Sequence, residues 1–170
     1  MTTMTSPYPA RRAGDVICGM PAVLSATPHP RSWRPAANVD AERLHFMLDA
    51  YTRTGGVSTG DEIAAAMAGN GDQPVSQLAR WIVDREVVSF SWQSVLLLPR
   101  FQFRGPAMSR QPSIVTAMRE LREVLTDWDA ALWFALPNVG LDGDSPADCF
   151  SQNPSAVCHA ASARRHIALA

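Results

Sequence analysis

The polar residues between positions 142 and 148 are the first place where residue types and spacing could support chemistry. Gly143-Asp144-Ser145 has the residue order found at the start of one class of lipases and esterases. A nucleophilic serine, however, needs a neighbouring base and donors that stabilise an oxyanion. No strand pattern precedes Ser145, and Pro146 follows it, so the sequence predicts that Ser145 caps a helix. We therefore predict no catalytic residue here and no enzyme.

Acidic and sulfur-bearing side chains in the same part of the chain raise the question of a metal site. Asp142, Asp144 and Asp148 lack the later bidentate glutamate that a calcium-binding loop of the EF-hand type requires. Cys158 and His159 are adjacent in sequence, so their side chains diverge on a helix and are poorly placed to share one zinc ion. The pattern predicts turn, cap and core roles for these residues, with no metal and no cofactor.

Composition narrows the class of protein further. The chain of 170 residues has a formal net charge of −1, without the basic excess that is usual in nucleic-acid-binding domains. Its 3 cysteines form no Cys-x-x-Cys motif, which favours a reducing cytoplasm over a disulfide framework. No apolar stretch has the length needed to cross a membrane. These features predict a cytoplasmic protein without membrane contact.

Hydrophobic periodicity and turn signals predict the elements that would position these residues. Residues 1–37 contain six of the 13 prolines and little periodicity, which predicts a flexible, disordered tail. Period-two alternation over 86–92 and 95–103 predicts two strands that pair as a hairpin. Helical patterns cover 39–53, 59–68, 74–85, a long segment from Pro112 through Trp128, and a last helix that begins after Asn153.

The predicted fold is mainly α, a compact helical domain with one short antiparallel β-hairpin and a disordered N-terminal tail. The same patterns divide the chain into three parts. These are a Pro-rich tail at 1–37, a helix-turn-helix-like part with the hairpin at 38–110, and a helical domain at 111–170.

The segment from Trp128 to Asp148 is the most informative part of the chain. It predicts a helix with one apolar stripe, formed by Trp128, Ala131, Leu132 and Ala135. Pro137 ends that helix, because a proline disfavours the helical conformation of the residue before it. Ser145 then caps the next helix, with Pro146 at its first position and Asp148 at the capping-box position.

Taken in order, these motifs resemble the C-terminal toxin-binding domain of Xre/MbcA/ParS-type antitoxins. In that family a tryptophan helix runs into a Pro-Asn pair, then a Leu-x-Gly turn, then a Ser/Thr-Pro pair that opens a helix. Here the pattern departs at 141–143, which read Leu-Asp-Gly where the better-known sequence is Leu-Gly-Gly. The resemblance extends back through 78–82, 88–92 and 98–103, and covers residues 55–167.

The resemblance implies an antitoxin, or a module derived from one, that binds and occludes a RES-domain toxin that consumes NAD. It makes 111–170 a toxin-binding-like domain whose scaffold includes Trp133, Pro137, Asn138, Leu141, Gly143 and Pro146. The residues expected to contact the partner are Trp133, Asn138, His159, Arg164, Arg165 and His166. A homodimer remains open as a further assembly.

A second hypothesis is a DNA-binding transcriptional regulator. Two short helices joined by a glycine turn across residues 59–85 have the outline of a helix-turn-helix. In that case Gln77, Arg80 and Arg85 would face DNA. Against this hypothesis, the second helix uses several apolar residues for a core, and the hairpin is too apolar for a solvent-facing wing. A RES-type gene beside this one would favour the first hypothesis, and a palindromic operator upstream would favour the second.

Overall fold

The computed structural model describes residues 36–68 and 73–170, which fall within one compact unit. The predicted tail lies outside the described residues as far as position 35, whereas positions 36 and 37 belong to the first helix. The helices of the described part are α1 Ala36–Tyr51, α2 Gly60–Met67, α3 Pro74–Val83, α4 Pro112–Leu121, α5 Asp127–Ala135, α6 Pro146–Cys149 and α7 Pro154–Leu169. The strands there are β1 Val57–Thr59, β2 Phe90–Trp92, β3 Val95–Pro99, β4 Phe103–Arg104 and β5 Ser109–Arg110. The prediction of a mainly helical fold with a short antiparallel hairpin is confirmed.

The predicted hairpin is formed by β2 and β3, with Trp92 paired to Val95 beside the turn. Gln93 and Ser94 form that turn with φ angles of 47° and 67°, the left-handed conformation that tight two-residue hairpin turns use. β1 pairs antiparallel with the other edge of β3, which gives a three-stranded sheet in the order β1-β3-β2. The sequence analysis missed β1, because three residues are too few for a periodic pattern.

Both predicted strands are shorter in the structure than their sequence pattern indicates. Val88 lies before β2 and pairs its backbone with a side chain instead of a strand. Its N–H donates to Gln102 Oε1 at 2.7 Å, and its carbonyl accepts from Gln102 Nε2 at 2.8 Å. Gln102 is fully buried, so these bonds satisfy backbone groups that a longer strand would otherwise have paired. After β3 the chain enters a 3₁₀ turn at Arg100–Gln102, and β4 pairs with β5 in a separate ribbon.

The single long helix expected from residue 112 is in fact two helices, α4 and α5. Thr126 begins α5 by accepting a hydrogen bond from the Asp129 N–H at 3.1 Å. Arg85 fills the break between the two helices and donates to the Leu125 carbonyl at 2.8 Å. Arg85 also donates to the carbonyl of Arg122, the residue that follows α4, so a carbonyl at the end of α4 is satisfied by a side chain that is distant in sequence. Periodicity within one segment cannot reveal such a contact.

The larger of two hydrophobic cores lies among α1, α4, α5 and α7, and aromatic rings fill much of it. The ring centroids of Phe101 and Phe134 are 5.2 Å apart. The buried Tyr51 hydroxyl donates to the Ala131 carbonyl at 2.5 Å and so ties α1 to α5. The buried members of this large core are Met47, Tyr51, Val88, Phe90, Phe101, Ile114, Ala117, Met118, Leu121, Ala130, Ala131, Phe134, Ala135, Leu141, Ala147, Phe150, Val157 and Ala161.

A small core lies beneath α2 and α3. Its buried members are Ile63, Ala64, Met67, Leu78, Val87, Leu98, Phe103 and Met108. A capping box begins α2: Thr59 Oγ1 accepts from the Glu62 N–H at 3.3 Å, and Glu62 Oε2 accepts from the Thr59 N–H at 2.8 Å. Such a box satisfies two of the backbone donors that every helix start leaves unpaired.

Candidate interaction site

The connector, residues 137–144, joins α5 to α6 and is closed by its own hydrogen bonds. The Asn138 N–H donates to the Asp144 carbonyl at 3.0 Å. Asn138 Oδ1 accepts from the Gly140 N–H at 2.9 Å and begins a 3₁₀ turn at Val139–Leu141. The last residue of that turn lies in the large core. The connector is thus held in one conformation from both its ends and its middle.

The end of the 3₁₀ turn requires two residues in the left-handed region. Asp142 has a φ of 57° and Gly143 a φ of 90°. Glycine adopts this conformation at no steric cost, and aspartate tolerates it better than most residues. The Leu-Asp-Gly sequence at 141–143 therefore occupies a backbone shape that Leu-Gly-Gly would also fit.

Ser145 has the contacts of a helix cap. Its Oγ accepts from the Asp148 N–H at 3.1 Å, as predicted, and donates to Asp148 Oδ2 at 2.7 Å. Arg53 donates to the same carboxylate oxygen at 2.8 Å. The Asp148 carboxylate therefore accepts from the Ser145 hydroxyl and from Arg53, which lies in the 3₁₀ turn after α1. In a full capping box it would instead accept from the backbone N–H of Ser145.

The surroundings of Cys149 and Cys158 favour the neutral thiol, with a raised pKa at both. Burial, followed by the carboxylates of Asp144, Asp148 and Asp142, raises the pKa of the Cys149 thiol. Burial likewise raises the pKa of the Cys158 thiol. Because the thiolate is the reactive and metal-binding form, both shifts weaken these functions. Within residues 36–68 and 73–170, no group of three or more His, Cys, Asp or Glu side chains is arranged to hold a metal ion.

Of the predicted partner-binding residues in 111–170, Trp133 and Asn138 serve mainly to build the site. Trp133 is half-buried against the large core, and its ring meets Phe134 edge to face with centroids 4.9 Å apart. Asn138 holds the 3₁₀ turn. A Cβ added at Gly140 would lie 4.0 Å from the Ala160 Cβ, so that turn packs directly against α7. The structure thereby brings the connector and α7 together.

The four predicted residues on α7 differ in their surroundings. His159 and His166 are exposed, and His166 Nδ1 lies 2.8 Å from the Ser162 carbonyl oxygen one turn earlier. Arg164 is half-buried, and no hydrogen bond or ion pair engages it among the residues that the structure describes. Two of these four side chains, His159 and His166, therefore point outward on a face that a partner could contact.

Arg165, by contrast, holds α7 on α4. Its guanidinium lies 3.4 Å from Glu120 Oε2 and 3.1 Å from Glu123 Oε2. Cys158 Sγ lies 3.6 Å from the Ser113 carbonyl oxygen, so the two helices run in the same direction. We therefore expect charge reversal at Arg165 to lower stability, because it would replace two attractions with two repulsions.

The sequence analysis missed the most exposed apolar residue of the site. Val139 is 98% exposed at the tip of the 3₁₀ turn, and Ile167 on α7 is 74% exposed. Ile167 lies two turns after Ala160 and so shares the helix face against which the turn packs. We call Val139, His159, Ala163, His166 and Ile167 the connector–α7 surface. Periodicity misses such residues because it assigns apolar side chains to the interior.

The residues predicted to face DNA lie apart from this surface, on α3 and just after it. Gln77 and Arg80 are exposed, and Arg80 lies 3.6 Å from Asp84. Arg85 donates to Asp127 Oδ1 at 2.6 Å as well as to the end of α4. On the outward side of α3, Val75 is 68% exposed and Val83 is 80% exposed.

No known protein family, no curated protein and no solved structure matches this chain. No helix in the described part of the chain is both long and apolar enough to span a membrane.

Proposed function

We propose that this chain is an antitoxin-like protein-interaction module, a binding protein and not an enzyme, that occludes a cognate toxin. The observation that carries the proposal is Val139, an apolar side chain 98% exposed on a turn fixed by hydrogen bonds. A large exposed apolar group on a rigid segment is suited to a protein interface, because little conformational freedom is lost on binding.

The surface around Val139 has the mixed chemistry of a protein-binding site. Ile167 and Ala163 extend the apolar character along α7, while His159 and His166 line its edge. Apolar centres with polar rims are usual in protein–protein interfaces. The mechanism is steric: the connector and α7 together cover the partner's cofactor pocket.

The kind of partner follows from the resemblance to Xre/MbcA/ParS-type antitoxins, which implies a RES-domain toxin that consumes NAD. Support comes from the local structure of the motif residues. The segment forms a helix that ends before Pro137, a turn opened by Asn138, and a helix capped by Ser145 with Pro146 at its first position. Cys149 and Cys158 are free thiols, which suits a site of action in the cytoplasm.

A DNA-binding regulator is the alternative function, and it has less support. A reader helix needs exposed polar and basic side chains that reach base edges. Here α3 exposes Val75 and Val83, and Arg80 lies beside Asp84. Arg85 is engaged by Asp127 and by backbone carbonyls. Gln77 alone of the three predicted residues remains exposed without a neighbouring acid among the described residues.

The test is co-expression with the toxin encoded beside this gene, followed by purification through a tag on the toxin. We expect the chain to co-purify in fixed stoichiometry, to restore growth and to inhibit NAD consumption by the purified toxin. If no toxin gene neighbours this one, or if the chain neither binds nor inhibits that toxin, the proposal is wrong. Specific retention of the upstream DNA by the chain alone would favour the alternative.

A further inference from the structure

A second site lies away from the connector–α7 surface. It is a cleft of about 740 Å³ between the end of α1, the 3₁₀ turn after β3 and the loop that joins α6 to α7. Its volume falls within the range of small-molecule sites, which is about 300–1,000 Å³. We call it the arginine cleft, because Arg53, Arg100 and Arg104 line it from three different elements.

The three arginines differ in how much of their hydrogen-bonding capacity is already used. Arg53 donates to Asp148 at 2.8 Å. Arg104 uses only its Nε, which donates to Gln111 Oε1 at 2.9 Å. Arg100 is exposed, and no carboxylate or carbonyl engages its guanidinium in the described part of the chain. Two guanidinium groups thus keep free N–H donors at the cleft.

The structure beneath these two arginines is rigid. Gln111 is 5% exposed, and its Nε2 donates to the Phe101 carbonyl at 2.7 Å, so the partner of Arg104 is itself fixed. The Arg100 N–H donates to the Gly56 carbonyl at 2.9 Å, which fixes the backbone of Arg100 against the loop after α1. A charged donor held in place before a ligand arrives binds it with a smaller entropic cost, and this applies to Arg104, whose Nε is fixed by Gln111.

The other residues that line the cleft contribute to its electrostatic potential. Asn153 lines the cleft and caps the 16-residue helix α7, whose N-terminal end adds partial positive charge there. Asp144 and Asp148 also line the cleft, and Asp148 is already engaged by Arg53 and Ser145. Three arginines therefore line the cleft against two aspartates, and neither Arg100 nor Arg104 is paired with a carboxylate among the described residues.

We propose that the arginine cleft binds a small phosphate-bearing molecule through Arg100 and Arg104. Guanidinium groups bind phosphate oxygens through paired, charge-assisted hydrogen bonds, and they stay charged at any physiological pH. The concave shape favours a small molecule over a flat protein surface, and its volume accommodates a nucleotide. This site goes beyond the proposed function and does not depend on it.

The experiment is isothermal titration calorimetry on the full chain with ADP, pyrophosphate and adenosine. ADP and pyrophosphate should bind with an affinity that falls as salt is raised, whereas adenosine, which lacks phosphate, should not bind. Arg100→Gln and Arg104→Gln should each weaken ADP binding by about tenfold, the loss expected for one charge-assisted contact.

Arg119→Gln is the matched control, since Arg119 is an exposed arginine of α4 outside the cleft. It should leave ADP affinity unchanged. Thermal melting checks that each variant is folded, and Arg100→Gln remains informative if loss of the Arg104–Gln111 bond impairs folding. The proposal is overturned if the wild-type chain binds neither ADP nor pyrophosphate, or if Arg100→Gln binds them as well as wild type does. Binding of an oligoglutamate peptide in place of ADP would also overturn it and would identify a protein-docking cleft.

Discussion

The region built on the large core and the region built on the small core both expose apolar side chains, but they hold them differently. Val139 stands on a connector closed by backbone and side-chain hydrogen bonds and packed against α7. Val75 and Val83 stand on α3, whose N-cap residue Gln73 makes no capping side-chain hydrogen bond. Exposure alone therefore does not define a binding surface, because the rigidity of the supporting backbone sets how much conformational freedom is lost on binding.

The two regions also use their arginines for structure in the same way. Arg85 closes the end of α4 from the small-core side, and Arg165 fastens α7 to α4 on the large-core side. In each case the arginine joins elements that are distant in sequence. Basic residues near a predicted functional helix are therefore weak indicators of a ligand unless their intramolecular partners are known.

The largest expected loss of stability comes from removing an aromatic ring from the large core. Phe134 is fully buried, so Phe134→Ala should lower the free energy of unfolding by about 3–5 kcal/mol. Trp133 is only half-buried, so Trp133→Ala should cost less, about 1–3 kcal/mol. Urea unfolding followed by circular dichroism measures both. An equal or larger loss for Trp133→Ala would show that the tryptophan, and not the phenylalanine, is the main anchor of α5.

The half-buried position of Trp133 illustrates what the sequence can and cannot predict. The helix boundaries at Thr59, Pro137, Ser145 and Asn153 follow from local chemistry, and the structure has a helix start or stop at each. Burial within a helix depends on which elements pack against it, and the order of apolar residues along one segment does not specify this. The break filled by Arg85 was unpredictable for the same reason.

The candidate site was predicted less completely than the fold. Local signals found the residues that shape the connector, because a proline, an asparagine and a glycine each impose a specific backbone geometry. They did not identify Val139, whose exposure depends on the packing of the 3₁₀ turn against α7. They also did not reveal the contacts of Arg165 with Glu120 and Glu123, because these join residues more than forty positions apart.

The bond between α1 and α5 gives the next prediction. Burial raises the pKa of Tyr51 well above its usual value of 10.0, so the folded state keeps this hydroxyl neutral. As pH rises through about 10, the unfolded chain loses the proton first, and stability must fall. Tyr51→Phe should cost about 1–3 kcal/mol at pH 7, since the Ala131 carbonyl loses its partner, and should reduce this alkaline loss.

Denaturant unfolding of wild type and Tyr51→Phe at pH 7 and pH 11 makes the comparison. If the variant loses as much stability as wild type between these two pH values, another group governs the alkaline transition.

Charge reversal on α7 should distinguish Arg165, which is held in ion pairs with α4 and the turn after it, from Arg164, which has no such partner among the described residues. Arg165→Glu should lower stability by about 1–2 kcal/mol, because Glu120 and Glu123 would then face a third carboxylate. Arg164→Glu should cost less than about 0.5 kcal/mol. Thermal melting of the two variants checks this order. If both melt at the wild-type temperature, the contacts between α4 and α7 are weaker than their geometry indicates.

The helix cap at the start of α6 gives a further stability prediction. Ser145→Ala should cost about 1 kcal/mol through loss of the cap. Ser145→Asp, which a cap on its own would tolerate, should cost more than Ser145→Ala, because Ser145 Oγ donates to Asp148 Oδ2 at 2.7 Å and aspartate would repel that carboxylate. Chemical unfolding ranks the two variants. If Ser145→Asp leaves the stability unchanged, Arg53 can compensate the charges of both the Asp148 carboxylate and the new one at position 145.

A pair of matched substitutions, Val139→Asp and Val83→Asp, tests whether the connector–α7 surface binds the toxin. Both valines are exposed, at 98% and 80%, so both variants should keep the wild-type melting temperature. Each is co-expressed with the toxin encoded beside the gene, and growth is measured. We predict that Val139→Asp loses neutralisation and that Val83→Asp retains it, because a charge at position 139 would be buried in the proposed interface without a partner. If Val139→Asp neutralises as well as wild type, or if only Val83→Asp fails, the connector–α7 surface is not the toxin-binding site.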